Sequence, residues 1–553
     1  MSPLLDPPKG QLARRWAEIL ALFVGSYVLL FATSPAIVGV YDEGLILTGA
    51  MRVLNGELPS RDFYANYGPA QFVVLAGMFR WLGPDLLVAR IYDTFLAATI
   101  VPLVWISLSS VRNRWLSSAC VLAVLGLLIW DRGPLAPITP AIGLVLLGSL
   151  VLIRCLSKGW TLLGYLGLAL SMTALMLFRY DLAVLAAGAF GAPFAVITYL
   201  QVRDSALARS QAMGIGFRAV TTLAAAMLLA LAMLWALGIL MPAMSDILVY
   251  NTKNYAAMRS LPFPGLRIAL WDPHHFFWVY FALGAVSVAA ATLMALYRRR
   301  RQFAVFSTDP RVVAIAVFAC AALFLYAKGL VRTQPGHLLL ANVPAVLAFG
   351  ISLDALDSLF FSERVRILRK VLWPGVFAIA IGYLGFAVRS NAWSHPLYRE
   401  YGSIPIPSNL SALRVFGAAP DQVRVAQYLA AHTQPSDRIV SATGRHDKVF
   451  VNDCAIYFIA QRLPGTRWHH YDPGVQTTQA VQDEMVREIA ENRVALILRN
   501  SFADSVEEPN QSRFSSGVRI LDRYIDSHFH KVAEIGKVEI WAAGQDAQPV
   551  ASP

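Results

Sequence analysis

Asp42 and Glu43, side by side in Tyr41-Asp42-Glu43-Gly44, stand where the first long apolar run of the chain ends. From Trp16 to Val40 the only charge is Glu18, near the start, so the acid pair emerges at a membrane surface. Ionisable groups at the edge of a hydrocarbon slab are costly to hold there and count as functional candidates. A carboxylate beside a second one, next to apolar surroundings, holds its proton more tightly than usual. That suits a general base taking a proton from a hydroxyl. Residues 55–69, which follow, are polar, aromatic and turn-rich, and contribute Arg61, Asp62 and Tyr67. Farther on, Arg179 and Asp181 share one corner, and residues 241–275 hold Tyr250, Lys253, Tyr255, Arg259 and His274-His275. Lys328, Arg332 and His337 cluster between two apolar runs. Acids in the first loop and cations in the later ones would make a site for an anionic lipid and a neutral acceptor. Arginine suits phosphate because its planar fork donates two parallel bonds.

The elements that must position these groups are membrane helices. The chain has 553 residues, 56% hydrophobic and 15% charged, where soluble domains carry about 25% charged residues. The net charge of +12 sits in short loops between apolar runs. That is the positive-inside pattern rather than a phosphate-binding face, and it argues against nucleic acid as a partner. Cys120, Cys155, Cys320 and Cys454 are scattered, without the spacing of a metal site or a disulfide framework.

At about 20 apolar residues per crossing, spans fall near 17–37, 89–111, 115–130, 138–155, 160–178, 182–200, 219–240, 276–297, 312–326, 338–353 and 371–388. This makes about eleven, the first read as an uncleaved signal-anchor behind Lys9, Arg14 and Arg15. With the N-terminus inside, the cytoplasmic loops collect Arg112 and Arg114, Arg154 and Lys158, Arg203 to Arg218, Arg298 to Arg301 and Arg364 to Lys370. Asp42, Asp131, Asp181, Asp246 and Asp272 then lie outside. Counting 70–82 as a further span would invert every later loop. It is read instead as a helix lying on the outer leaflet, inside a first outer loop of 40–88.

The expected fold is mainly α: a polytopic, N-in membrane domain over 1–388, followed by a small extracytoplasmic α/β domain over 389–553. In that second domain, residues 425–430 and 478–490 read as helix, 438–441 and 494–499 as strand, and 531–541 as an alternating strand or hairpin.

Tyr41-Asp42-Glu43-Gly44, Gly56-Glu57-Leu58-Pro59-Ser60-Arg61-Asp62-Phe63 and Tyr67-Gly68-Pro69 resemble the first periplasmic loop of membrane-embedded C-type glycosyltransferases. The nearest resemblance is to members related to protein O-mannosyltransferases and to Rgt-type lipopolysaccharide-core transferases. The Arg332…His337 run and a following outer α/β domain fit the same pattern. The resemblance implies a multi-pass enzyme of the bacterial inner membrane with its site on the periplasmic side. It would move a hexose or pentose, with inversion, from a polyprenyl-phosphate donor to a lipid, polysaccharide or protein acceptor of the cell envelope. Asp42 is then the base, and Glu43 orients it or binds acceptor. Arg179, Lys328, Arg332 and His337 would steady the departing lipid phosphate, and Asp62 a sugar hydroxyl. Arg61, Tyr67 and Asp181 complete the substrate-binding set. No metal or other cofactor is expected, since no cluster of hard oxygen ligands stands beside the acid pair. A transporter or a lipid-linked glycan flippase is the rival reading, and a catalytically inert assembly subunit another. Charges concentrated at one face, with a soluble domain on the same side, favour surface chemistry over translocation.

Overall fold

In hydrocarbon a backbone amide has no partner but its own helix, so apolar runs of spanning length become helices. The computed structural model describes residues 9–299, 306–360, 366–392 and 417–544. Its helices, in order, are α1 (Lys9–Ala32), α2 (Asp42–Leu54), α3 (Ala70–Leu82), α4 (Leu86–Ser107), α5 (Arg114–Trp130), α6 (Thr139–Lys158), α7 (Leu162–Phe178), α8 (Tyr180–Arg203) and α9 (Arg209–Ala236). Three short helices follow, α10 (Leu240–Ser245), α11 (Ala256–Arg259) and α12 (Ile268–Trp271), with a π-helical stretch Asp246–Tyr255 between the first two. Then come α13 (Pro273–Arg298), α14 (Pro310–Gly329), α15 (Pro335–Phe360) and α16 (Arg366–Ala392).

Each of the expected spans coincides with one of these helices. Among the described residues, nine helices are long and apolar enough to cross a membrane. The 17-residue α5 and α7 are shorter apolar helices packed among them. Helix α3 does not cross. Its entry is held by Gly68 N donating to Phe178 O at the end of α7 (3.0 Å), and near its exit Phe79 stacks on Phe458 of the C-terminal domain. Both ends therefore lie at one face of the bundle. At the opposite face, Asp354 receives the amides of Arg112 and Asn113, each at 3.1 Å, Gln201 donates to Leu156 O, and Arg203 meets Tyr297. These are the basic loops, and they lie away from the C-terminal domain. Arg300, Arg301 and Arg364 lie outside the described residues, as does most of the junction between the two expected domains.

The C-terminal part contains α17 (Pro420–His432), β1 (Arg438–Thr443), α18 (Ala455–Ala460), β2 (Leu463–Pro464), α19 (Gln479–Glu491), β3 (Leu496–Asn500), α20 (Ile520–His528), β4 (Phe529–Ile535) and β5 (Val538–Ala543). The sheet runs β2-β1-β3-β5-β4. Strands β1, β2 and β3 are parallel, and β5 pairs antiparallel with β3 and with β4. The expected helices and strands are present. The short α18, β2 and α20 add to them, too brief to show a sequence period of their own.

One packing feature decides where the site forms. Leu45, Ile46 and Leu47 of α2 and Phe72 and Phe79 of α3 share a single apolar core with Ile456, Phe458, Leu498 and Ile540 of the C-terminal part. The first loop is thus built into that domain rather than laid loosely over the bundle. Each fully buried Leu or Ile there contributes about 1.5–3 kcal/mol.

Candidate active site

Successive residues of a helix point about 100° apart, and the first turn of α2 uses that to send four neighbours to four destinations. Tyr41 caps the helix in a non-helical conformation (φ −115°, ψ −86°) without a side-chain cap bond. Its hydroxyl instead donates to Asp472 Oδ1 at 2.5 Å. Glu43 turns inward: its carboxylate pairs with the buried Arg90 of α4 and accepts from Gly39 N (2.7 Å). Gly44 lies against the start of α18, so close that a Cβ would stand 2.5 Å from Ala455 N. The amides of Cys454 and Ala455 donate to Val40 O (2.8 and 3.2 Å), pinning the residue ahead of the motif.

Asp42 takes the remaining direction. It is exposed, and no described side chain bonds or ion-pairs with it, yet protein encloses it on most sides. Enclosure pushes its carboxyl above the ordinary value, against the pull of Arg259, Arg179 and Arg332 in that order. An accessible acid therefore sits in the field of three arginines. They come from three separate places: the α7–α8 corner, α11, and the α14–α15 turn.

Each arginine is held by its own partners. Arg179, in extended conformation between α7 and α8 (φ −151°, ψ 99°), grips Asp181 with both arms of its fork (3.0 and 2.9 Å). Its guanidinium lies 4.8 Å over the Tyr67 ring. That ring is brought there because Gly68 presses on the end of α7, where a Cβ would meet Leu177 O at 2.1 Å. Lys328 reaches the same Asp181 at 2.8 Å, so one acid ties two cations together. Arg332 is held by both oxygens of Glu508 (2.8 and 2.6 Å) and donates to Arg259 O (3.2 Å). Arg259 lies 3.7 Å from the same carboxylate and 4.4 Å over the Phe450 ring. His337, exposed, has Nδ1 at 2.8 Å from Arg332 O, so that nitrogen donates and Nε2 is left as an acceptor.

Of the residues expected from sequence, Asp42, Tyr67, Arg179, Asp181, Lys328, Arg332 and His337 come together here. Glu43 sits behind them in its pair with Arg90. Arg61 and Asp62 lie elsewhere. They bond to one another (2.7 Å), Asp62 caps Leu58 N (2.7 Å), and none of their described partners belongs to the group around Asp42. Sequence reasoning undervalued three residues. Arg259 was one cation among several in a long loop. Glu508 and Asp472 stand in the C-terminal domain, where no motif or spacing in the sequence marks either. Among the described residues no three His, Cys, Asp or Glu side chains converge to hold a metal ion.

No protein-family model and no curated protein matches the chain. Among solved structures, ArnT from Cupriavidus metallidurans bound to undecaprenyl phosphate is similar over 98% of this chain and 99% of its own, with a TM-score of 0.55 at 13% identity. The same protein in the apo state is similar over 98% and 100%, with a TM-score of 0.52 at 13% identity. At that identity the likeness is one of fold: a mainly helical membrane bundle with a small C-terminal sheet domain.

Proposed function

We propose that this chain is a glycosyltransferase that takes a sugar from a polyprenyl-phosphate carrier and passes it to a hydroxyl of a cell-envelope acceptor. The observation that carries the reading is the accessible Asp42 carboxylate, free of described partners, at the meeting point of Arg179, Arg259 and Arg332. The fold shared with ArnT, which has been seen with undecaprenyl phosphate, supports the lipid carrier. The positive-inside arrangement of the basic loops supports a site on the periplasmic side of a bacterial inner membrane.

The reaction would run as a single inverting displacement. The acceptor oxygen attacks the anomeric carbon, its proton passes to Asp42, and the bond from that carbon to the lipid phosphate breaks. A raised carboxyl pKa makes Asp42 a better proton acceptor than an ordinary aspartate. The departing lipid phosphate carries the developing charge. Arginines fixed in advance by Asp181 and Glu508 stabilise that charge without reorganising as it forms. Lys328 extends the cationic wall, His337 stands beside it as a neutral imidazole bound to Arg332 O, and the Tyr67 ring supports Arg179. We assign Glu43 to holding the α2 turn against α4, and Arg61 and Asp62 to pinning their own turn. The acceptor, whether lipid, polysaccharide or protein, would enter from the side of the C-terminal domain.

The test is a comparison of envelope glycans and polyprenyl-linked sugars between cells making the wild-type chain and cells making Asp42→Ala. The variant should insert at normal level, accumulate the sugar-loaded carrier and leave its acceptor unmodified. Unchanged glycans at equal protein level would overturn the assignment.

A further inference from the structure

Between α11 and α13 the chain carries an apolar loop that little of the described protein covers. The run Leu261-Pro262-Phe263-Pro264-Gly265-Leu266-Arg267-Ile268-Ala269-Leu270-Trp271 holds one charge, Arg267. Phe263 is 46% exposed, Leu266 71%, Leu270 83% and Trp271 87%, and a Cβ built on Gly265 would meet nothing within 4 Å. Contiguous apolar surface of this kind marks contact with a partner or with a membrane.

The course of the loop tells the two apart. Leu261 N donates to Val331 O (2.8 Å), just past the end of α14 and next to the bond from Arg332 to Arg259 O. Asp272 caps α13 by accepting from His275 N (2.9 Å). Both ends of the loop are thus pinned to the ends of spans, at the face that carries the C-terminal domain. In between, Pro264 O accepts from the Tyr280 hydroxyl (2.7 Å), and the Phe263 ring packs edge-on against the Tyr280 ring (5.8 Å). Tyr280 belongs to α13, seven residues past its first residue, Pro273, or about 10 Å along the helix. The chain therefore runs back down the flank of α13, below the level at which that span begins.

Its backbone suits that depth. In a bilayer an amide has no water to bond and must be satisfied within the protein. Pro262 and Pro264 have no amide hydrogen. The amides of Ile268, Ala269, Leu270 and Asp272 donate to the carbonyls of Gly265, Leu266, Arg267 and Ile268 (2.8–3.1 Å). The side chains suit it as well. Trp favours the boundary between water and hydrocarbon, and Arg lays its stem on apolar surface while its charge reaches the headgroups. We propose that residues 262–271 are a re-entrant anchor, which inserts Phe263, Leu266, Leu270 and Trp271 into the adjoining leaflet of the phospholipid bilayer and sets Arg267 against headgroup phosphates. A protein partner could cover an apolar loop in water, but the flank of a span is already occupied by lipid.

The test is a nitroxide on Leu266→Cys or Leu270→Cys in the full-length protein, reconstituted in phospholipid nanodiscs. Power saturation compares contact with oxygen, which concentrates in hydrocarbon, and with nickel ethylenediaminediacetate, which stays in water. Both positions are exposed, so the cysteine displaces no packed atoms. Label on the native cysteines, of which Cys120, Cys155 and Cys454 are buried, is subtracted from a sample lacking the added one. Val532→Cys, 41% exposed on strand β4 of the C-terminal domain, serves as the reference in water. The ratio of oxygen to nickel contact at 266 and 270 should exceed that at 532 several-fold. A ratio equal to or below the reference overturns the proposal, and so does a label that neither reagent reaches, since protein would then cover the loop. No sugar donor or acceptor enters the measurement, so the anchor and the transfer reaction stand or fall separately.

Discussion

At the scale of single residues, adjacent acids do different work. Glu43 pairs with Arg90, both shielded from solvent, and Asp42 is exposed. Neutralising Glu43 removes the carboxylate with which the buried Arg90 is paired. Glu43→Gln should therefore cost about 3–5 kcal/mol of stability, read as a lowered thermal midpoint of the purified protein. Asp42→Asn should leave that midpoint unchanged, cut transfer by about a hundredfold or more, and bind undecaprenyl phosphate at least as tightly as the wild type, since a negative charge beside the anion site is gone. Weaker binding would mean that Asp42 contacts the donor rather than the acceptor. On the proposal that Asp42 is the base, it acts ionised, so activity should fall as pH drops through its raised pKa. Arg259 is the largest opponent of that rise. Arg259→Gln should therefore move the acid limb of the rate profile to higher pH, and a move to lower pH would contradict the arrangement. Asp42 itself was legible in the sequence because a charge ending an apolar run is rare and costly. The separation of its role from that of Glu43 was not, because it depends on Arg90, on another helix.

At the scale of elements, α2 is the part that matters, and it is set by close contacts rather than by helix propensity. Gly44 permits backbone to lie against backbone at the start of α18, and Thr48 Oγ1 donates to Cys454 O (2.9 Å) at the same seam. A methyl group at residue 44 has nowhere to go, since its neighbours there are main-chain atoms. Gly44→Ala should push α2 off α18 and lower activity along with thermal stability, by about 1–3 kcal/mol. Gly77, on α3 with open space around it, supplies the contrast. Gly77→Ala should leave activity alone and stabilise by up to about 1 kcal/mol. Equal effects at the two positions would mean that the seam tolerates movement. The helix at 70–82 was legible from its composition and length. That it lies along one face, rather than crossing, was inferable only indirectly, from the loop charges it would otherwise invert.

At the scale of the whole molecule, the C-terminal domain is part of the site. Glu508 holds Arg332 and stands beside Arg259, and Arg438 and Arg52 meet on Glu57 across the same boundary. In a double-mutant cycle on thermal stability, Glu508→Ala and Arg332→Ala should each cost about 1–3 kcal/mol, and together little more than either alone. Strict additivity would mean that the two do not meet in the working protein. The orientation proposed for the membrane has its own test. A cysteine placed at Trp81, exposed near the end of α3, should react with an impermeant maleimide from outside the cell. One placed at Arg203, at the opposite face, should react only after permeabilisation.

The sequence by itself determined the spans, the basic loops and the emergence of Asp42 at a surface, because hydrophobic length and charge next to a membrane are properties of a continuous stretch of chain. It also marked Arg179, Lys328, Arg332 and His337, which stand at helix ends where cations interrupt apolar runs. Tertiary structure alone decided which of these meet. Tyr41 and Asp472 are neighbours in space across 431 positions. Arg259 and Glu508 acquire meaning only once α11, the α14–α15 turn and the C-terminal loops are folded onto one another. A side chain's direction and its distant partner follow from packing, and packing leaves no local period for a sequence to display.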